Sequence, residues 1–138
     1  IIYLITNPKF KMSTLFSTLP PLLRRHKIVK ALSRLFPQYA QHTFKCDDFI
    51  ISANLSDAAT RQAYRTQHFE DYGYFNLFEK LLPPNGILLD IGANYGFHTF
   101  GLLNRCPNIE CHLFEPNEAC VSSLHHARAL YPKVKINI

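Results

Sequence analysis

The sequence predicts an α/β fold whose C-terminal part is the opening of a doubly wound parallel sheet, read as strand, helix, strand, helix, strand. Three observations carry this. "ILLDI" (87–91) is a short unbroken apolar run, as in a strand buried on both faces of a parallel sheet. "IECHLFE" (109–115) alternates Ile109, Cys111 and Leu113 against Glu110, His112 and Phe114, and "KVKINI" (133–138) alternates likewise. Between these strands lie "GFHTFGLLNR", closed by a turn at "CPN", and "NEACVSSLHHARALY", both with helical spacing.

Each earlier element follows from its own pattern. "PPLLRRHKIVKALSRLF" places Leu22, Ile28, Val29, Leu32, Leu35 and Phe36 near helical spacing, interleaved with Arg24, Arg25, Lys27, Lys30 and Arg34. "TFKCDDFIISANL" reads as two short strands around a turn at Asp47 and Asp48, with Phe44, Phe49 and Ile51 inside. "SDAATRQAYRTQHF" offers Ser56 or Asp57 as a cap before good helix formers. "YGYFNLFEKLL" spaces Phe75, Phe78, Leu81 and Leu82 as one apolar stripe, stopped by "PPNG". In the last helix Asn117 is the expected cap, with Ala119, Val121, Leu124 and Ala127 facing inward and Pro132 ending it.

Three segments are expected: a basic N-terminal extension with an amphipathic helix over 1–42, a hairpin with lead-in helices over 43–82, and the incomplete start of a Rossmann-like ligand-binding domain over 83–138. With 138 residues, 47% hydrophobic and 18% charged, the balance is that of a soluble globular protein. No apolar stretch approaches the roughly 20 residues of a spanning helix, and no secretory leader is recognisable, so a cytoplasmic protein is expected. The net charge of +5 is concentrated at the start, where residues 1–45 hold eight of the fifteen Lys and Arg and no acid. That basic helix fits either a solvated face on its own domain, the favoured reading, or peripheral contact with an anionic membrane surface; no nucleic-acid partner is expected. Cys46, Cys106, Cys111 and Cys120 lack CxxC spacing and read as reduced structural thiols, a zinc site from Cys106, Cys111 and His112 being the weaker alternative. The initial Ile and the strand-like C-terminus read as the ends of a fragment, with Met12 as a candidate start.

The chemistry is expected where ligands sit in such sheets, at the carboxyl ends of the strands. Asp90 stands at that end of the first strand. Gly92 and Gly96 remove side chains where the backbone must turn and approach a ligand, and the amides opening the next helix supply donors. Twenty-five residues after Asp90, Glu115 holds the equivalent place on the second strand, where a carboxylate can accept from both hydroxyls of a ribose. A nicotinamide dinucleotide favours G-x-G-x-x-G with no acid crowding its pyrophosphate, but this loop is Gly92-Ala93-Asn94-Tyr95-Gly96 with Asp90 two residues ahead. A sulfonium cofactor with an ammonium and carboxylate tail, S-adenosyl-L-methionine, suits an acid there. Taken singly, Asp90 and the Glu-Pro at 115–116 would read as turn residues; their joint order and separation give them meaning. Phe97, Phe100 and Phe114 are assigned to core packing rather than adenine stacking, and His125 and His126 to solvent.

"LLPPNGILLDIGANYGFHTF" followed by "HLFEPNEACVSSL" resembles the start of the FkbM-type methyltransferases, a branch of the class I S-adenosylmethionine-dependent methyltransferases with a D-x-G-A-N-x-G loop and a second strand ending in F-E-P. The resemblance covers residues 82–124. It implies the first three parallel strands of a Rossmann-like class I methyltransferase sheet, with Asp90, Gly92, Asn94 and Gly96 at the cofactor's amino-acid end and Glu115 on its ribose. It also implies O-methylation of a sugar or polyketide-like hydroxyl, hence a small-molecule or glycan acceptor. His98 stands where that family is usually aromatic or aliphatic.

No residue of the chain is assigned as the general base. Three strands alone would leave a hydrophobic edge and one flank uncovered, so the chain by itself is expected to bind the cofactor weakly and to turn over nothing. Two other classes fit parts of the pattern: an NAD(P)-dependent oxidoreductase, and a non-catalytic truncated interaction module. The sequence carries no signal for oligomeric state.

Overall fold

The computed structural model describes residues 26–36 and 40–138. The elements in order are α1 (His26–Leu35), β1 (Gln41–Cys46), β2 (Phe49–Asn54), α2 (Ala58–Thr66), a 3-10 turn (Tyr72–Tyr74), α3 (Phe75–Leu81), β3 (Ile87–Ile91), α4 (Phe97–Leu103), β4 (Glu110–Phe114), α5 (Glu118–Arg128) and β5 (Lys135–Asn137). The N-terminal part of the extension, with Leu22, Arg24 and Arg25, lies outside the described residues. Over α1 the helix packs on its own domain: Val29 and Ser33 are buried, while Lys27 and Arg34 face water. Leu35, expected on the apolar stripe, is 70% exposed, because the buried face of so short a helix is a single row around Val29 and Ser33.

β1 and β2 pair antiparallel in the register Phe44 to Ile51 and Cys46 to Phe49. Asp47 turns the hairpin at φ 50°. Its carboxylate accepts from the Phe69 amide (2.7 Å) and meets the His68 ring (2.7 Å), tying the hairpin tip to the chain leaving α2. Asp57 caps α2 by accepting from the Thr60 amide at 2.8 Å. The buried Arg61 guanidinium clamps the chain just before that helix, donating to the carbonyls of Leu55 and Ser56.

β3, β4 and β5 form a parallel sheet in that order, with Asp90 beside Leu113 and Ile91 beside Phe114. The crossovers between sequential neighbours place α4 and α5 on one face of the sheet, the face on which Cys111, Leu113 and Ile136 are buried. The hairpin packs on the other side of those helices, giving layers of hairpin, helices and parallel sheet. One buried cluster runs through them all from Val29 to Ile136. Its densest part is aromatic: Phe49 meets Phe69, Phe75 and Phe97 at centroid distances of 6.5, 6.2 and 6.2 Å. Gly101 on α4 exists for this packing, since a Cβ there would come within 2.3 Å of the fully buried Phe75 ring.

The second sheet face is open, which corrects the expectation that "ILLDI" is buried on both sides. Ile87, Leu89 and Ile91 are 62%, 60% and 81% exposed, and Phe114, assigned to the core, is 54% exposed on the same face. Leu81, expected in the α3 stripe, also faces out, because α3 turns Phe75 and Phe78 toward α4 and ends before Leu82. In α5 the inward residues are Cys120, Ser123, Leu124 and Ala127; Ala119 sits in the exposed first turn and Val121 is half-buried. His125 and His126 are exposed. Among the described residues, no helix is long and apolar enough to cross a membrane.

Burial sets the acid-base behaviour of the core thiols. The Cys46 thiol is pushed up to about 12 by burial and then by neighbouring Asp47; the Cys111 thiol is pushed up to about 12 by burial and then by Asp90. Raised folded values mean that this contribution is fully present below the unfolded thiol pKa of about 8.5 and is lost as pH climbs toward the folded value. Urea unfolding between pH 7 and 10.5 is expected to show stability falling above pH 8.5 by up to about 1.4 kcal/mol per pH unit for each thiol. The Cys46→Ala/Cys111→Ala variant should have a shallower slope; an unchanged slope would contradict the assignment.

Candidate functional site

The loop from β3 to α4 is built by its glycines and by the end of β4. Gly92 and Gly96 both have φ of 80°, and Asn94 has φ of 51°. A Cβ on Gly96 would press on the Phe100 ring at 2.5 Å and on Leu124 at 2.8 Å, so this glycine seats the loop on the core. A Cβ on Gly92 would meet nothing within 4 Å, so the first bend borders open space. Gly96 is required both by packing and by its backbone, and Gly92 by its left-handed backbone alone.

The five residues singled out by sequence are brought together. Asp90, the penultimate residue of β3, accepts a hydrogen bond on Oδ2 from the Thr99 hydroxyl at 2.6 Å, leaving Oδ1 for a ligand. Glu115 follows β4 directly and holds the loop with both oxygens, Oε2 accepting from the Asn94 amide and Oε1 from the Asn117 amide, each at 2.8 Å. A carboxylate has about four lone-pair positions, so these bonds leave room for two hydroxyl donors. The Asn94 side chain accepts from the Cys120 thiol at 3.2 Å, which fixes its left-handed backbone over the start of α5. Burial, followed by neighbouring Cys120, raises the Tyr95 phenol and keeps it neutral under the loop.

The loop's own amides are largely committed. Gly92 and Ala93 donate to the Phe114 carbonyl at 2.8 and 3.1 Å, Asn94 to Glu115, and Gly96 to the Ala93 carbonyl at 2.7 Å. Beside them two half-buried carboxylates, Asp90 and Glu115, stand at neighbouring strand tips.

Sequence reasoning missed Thr99 and Asp71. Thr99 lies one helical turn into α4 with no motif to mark it, and Asp71 lies in the lead-in segment 27 residues from its partner. Asp71 Oδ2 meets His98 Nε2 at 3.3 Å, and the His98 ring stands edge-on to Phe69 at 5.1 Å. Two cavities flank this pair. One, of about 280 Å³ along the outer edge of β3, is lined by Phe78, Leu88, Leu89, Asp90, His98 and Leu102. The other, of about 350 Å³ beside α2, has Asp71, Glu70 and His68 around a floor that includes Phe69 and Phe97. The zinc alternative has no geometric basis, since Cys111 faces the helices while His112 turns to the opposite sheet face and bonds Glu110 at 2.9 Å. Among the described residues no three such side chains converge on a metal position.

Comparisons of the chain with protein-family models, with curated proteins and with solved structures return no match.

Proposed function

We propose that residues 83–138 are the S-adenosylmethionine-binding part of a methyltransferase that transfers its methyl group to a hydroxyl of a small molecule or glycan. The observation that carries the reading is the loop chemistry: four amides are used internally, and two carboxylates stand at adjacent strand tips. A pyrophosphate needs uncommitted amide donors and no nearby acid. An ammonium and a ribose need acceptors, which is what Asp90 and Glu115 supply.

When bound, the cofactor supplies an electrophilic methyl on a sulfonium, with the thioether as leaving group. The chain's part is to hold it. Asp90 Oδ1 receives the ammonium of the tail, and Thr99 keeps that carboxylate from rotating away. Glu115 takes the ribose hydroxyls while its hydrogen bonds to Asn94 and Asn117 hold the loop in register with it. Gly92 lets the tail lie against the backbone. The acceptor class comes from the resemblance to the FkbM pattern.

The test is titration of the isotope-labelled chain with S-adenosylhomocysteine and with NADH, followed by NMR. The amides of Gly92, Asn94 and Gly96 are expected to shift with S-adenosylhomocysteine, at a micromolar or weaker Kd, and not with NADH. Shifts confined to NADH would overturn the proposal. A partner-docking role draws support from the exposed Ile87, Leu89, Ile91 and Phe114 alone; it predicts no response of the loop to either nucleotide.

A further inference from the structure

Helix α1 carries three rows of side chains with three different surroundings. Val29 and Ser33 are buried against the domain. At about 100° per residue, Lys27, Lys30 and Arg34 line up as a second row, and Ile28, Ala31 and Leu35 as a third directly beside it. Lys27 and Arg34 are exposed and Lys30 is half-buried. In the apolar row Ile28 and Leu35 are 36% and 70% exposed, and Ala31 faces water with them. The outward side of the helix is therefore itself divided, basic along one edge and apolar along the other.

The basic row has no counter-charge within the fold. Residues 1–45 contain no Asp or Glu, and α2, which packs against α1, contains none either. Among the described residues no carboxylate pairs with Lys27, Lys30 or Arg34. A nucleic acid would engage these cations and leave Ile28 and Leu35 in water. An anionic lipid surface answers both rows. Apolar side chains enter the boundary between headgroups and acyl chains, while the long stems of lysine and arginine carry their charges up to the phosphates.

We propose that the outer face of α1 docks on an anionic lipid surface, with Ile28 and Leu35 at the acyl boundary and Lys27, Lys30 and Arg34 on the headgroups. The contact lies along the surface, since ten residues are too few to cross a bilayer. It goes beyond the methyl-transfer reading and stands without it.

The experiment sediments the 138-residue chain with vesicles of phosphatidylcholine alone or with about 30% phosphatidylserine, at about 0.1 M salt. Wild type is expected to bind the anionic vesicles roughly a hundredfold more tightly than the neutral ones. The variant Lys27→Gln/Lys30→Gln/Arg34→Gln should lose most of that preference, and Ile28→Gln/Leu35→Gln should bind the anionic vesicles about tenfold more weakly. Leu35→Gln alone, at the most exposed of these positions, should lose about fivefold and keeps the test decisive if the double variant is less stable in urea. Arg128→Gln/Lys133→Gln, which removes exposed charge elsewhere, should bind as wild type does. Equal binding of wild type to both vesicles overturns the inference. So does wild-type affinity in either the basic or the apolar α1 variant, the second being the result expected of a purely electrostatic partner such as nucleic acid. A loss in Arg128→Gln/Lys133→Gln as large as that in the basic variant overturns it as well.

Discussion

Glu115→Ala is expected to weaken S-adenosylhomocysteine by roughly a hundredfold, the largest loss on binding that the site offers. The carboxylate does two things at once. It offers acceptors to a ribose, and it restrains the Asn94 and Asn117 amides at 2.8 Å. Alanine removes both, so the loss is that of the ligand's charge-assisted hydrogen bonds plus the cost of letting the loop relax. Glu115→Gln separates the two. Its amide can accept from one of those N–H groups but presents a donor to the other, so one loop hydrogen bond must break. NMR titration checks the affinities, and the Asn94 amide shift of the free proteins reports the loop. Wild-type affinity in the alanine variant would remove Glu115 from the site.

Gly101→Ala is expected to destabilise the fold by about 2–3 kcal/mol, although alanine is the better helix former. The new Cβ would lie 2.3 Å from Phe75 Cζ and 2.4 Å from Cε2. That ring cannot yield, being fully buried among Phe49, Phe69 and Tyr72 with the Arg105 guanidinium 5.9 Å from its centre. Overpacking exceeds the propensity gain. Phe75→Leu should recover part of the loss in the double variant, because the shorter side chain vacates the contact, and this non-additivity marks a direct clash. Urea denaturation of the four proteins measures it; an alanine variant as stable as wild type would mean that α3 and α4 slide apart at no cost.

The order of elements was legible in the sequence because each was marked by its own local chemistry. Asp47 and Asp48 turn the hairpin, Asp57 and Asn117 cap their helices, and the alternation Ile109, Cys111, Leu113 matches the buried side of β4. That Asp90, Gly92, Asn94, Gly96 and Glu115 would gather around one loop was legible for the same reason, since strand tips and glycine bends are short-range features. What was not legible depends on partners distant in sequence. Ile87, Leu89 and Ile91 are as apolar as a doubly buried strand, yet burial needs a second layer that their own spelling cannot report. Leu35, Leu81 and Phe114 failed likewise, since an apolar residue carries no label for the side its neighbours occupy. Asp71 and Thr99 acquire roles only through His98 and Asp90, contacts that exist only once the lead-in segment and α4 fold against each other and the sheet.

The Tyr131 hydroxyl donates to the Ile50 carbonyl at 2.7 Å and accepts from its amide at 2.9 Å, bridging positions 81 apart; Ser123 donates to Gln41 across 82. The hairpin thus leaves a ribosome well before Ser123 and Tyr131, the residues that fasten it to α5 and the turn after it. Synthesis must run past residue 131 before β2, already paired with β1 and packed on α4, can complete its seat. Folding therefore waits on closure of one long loop, which slows the search and leaves Phe49 and Ile51 accessible to chaperones in the interval.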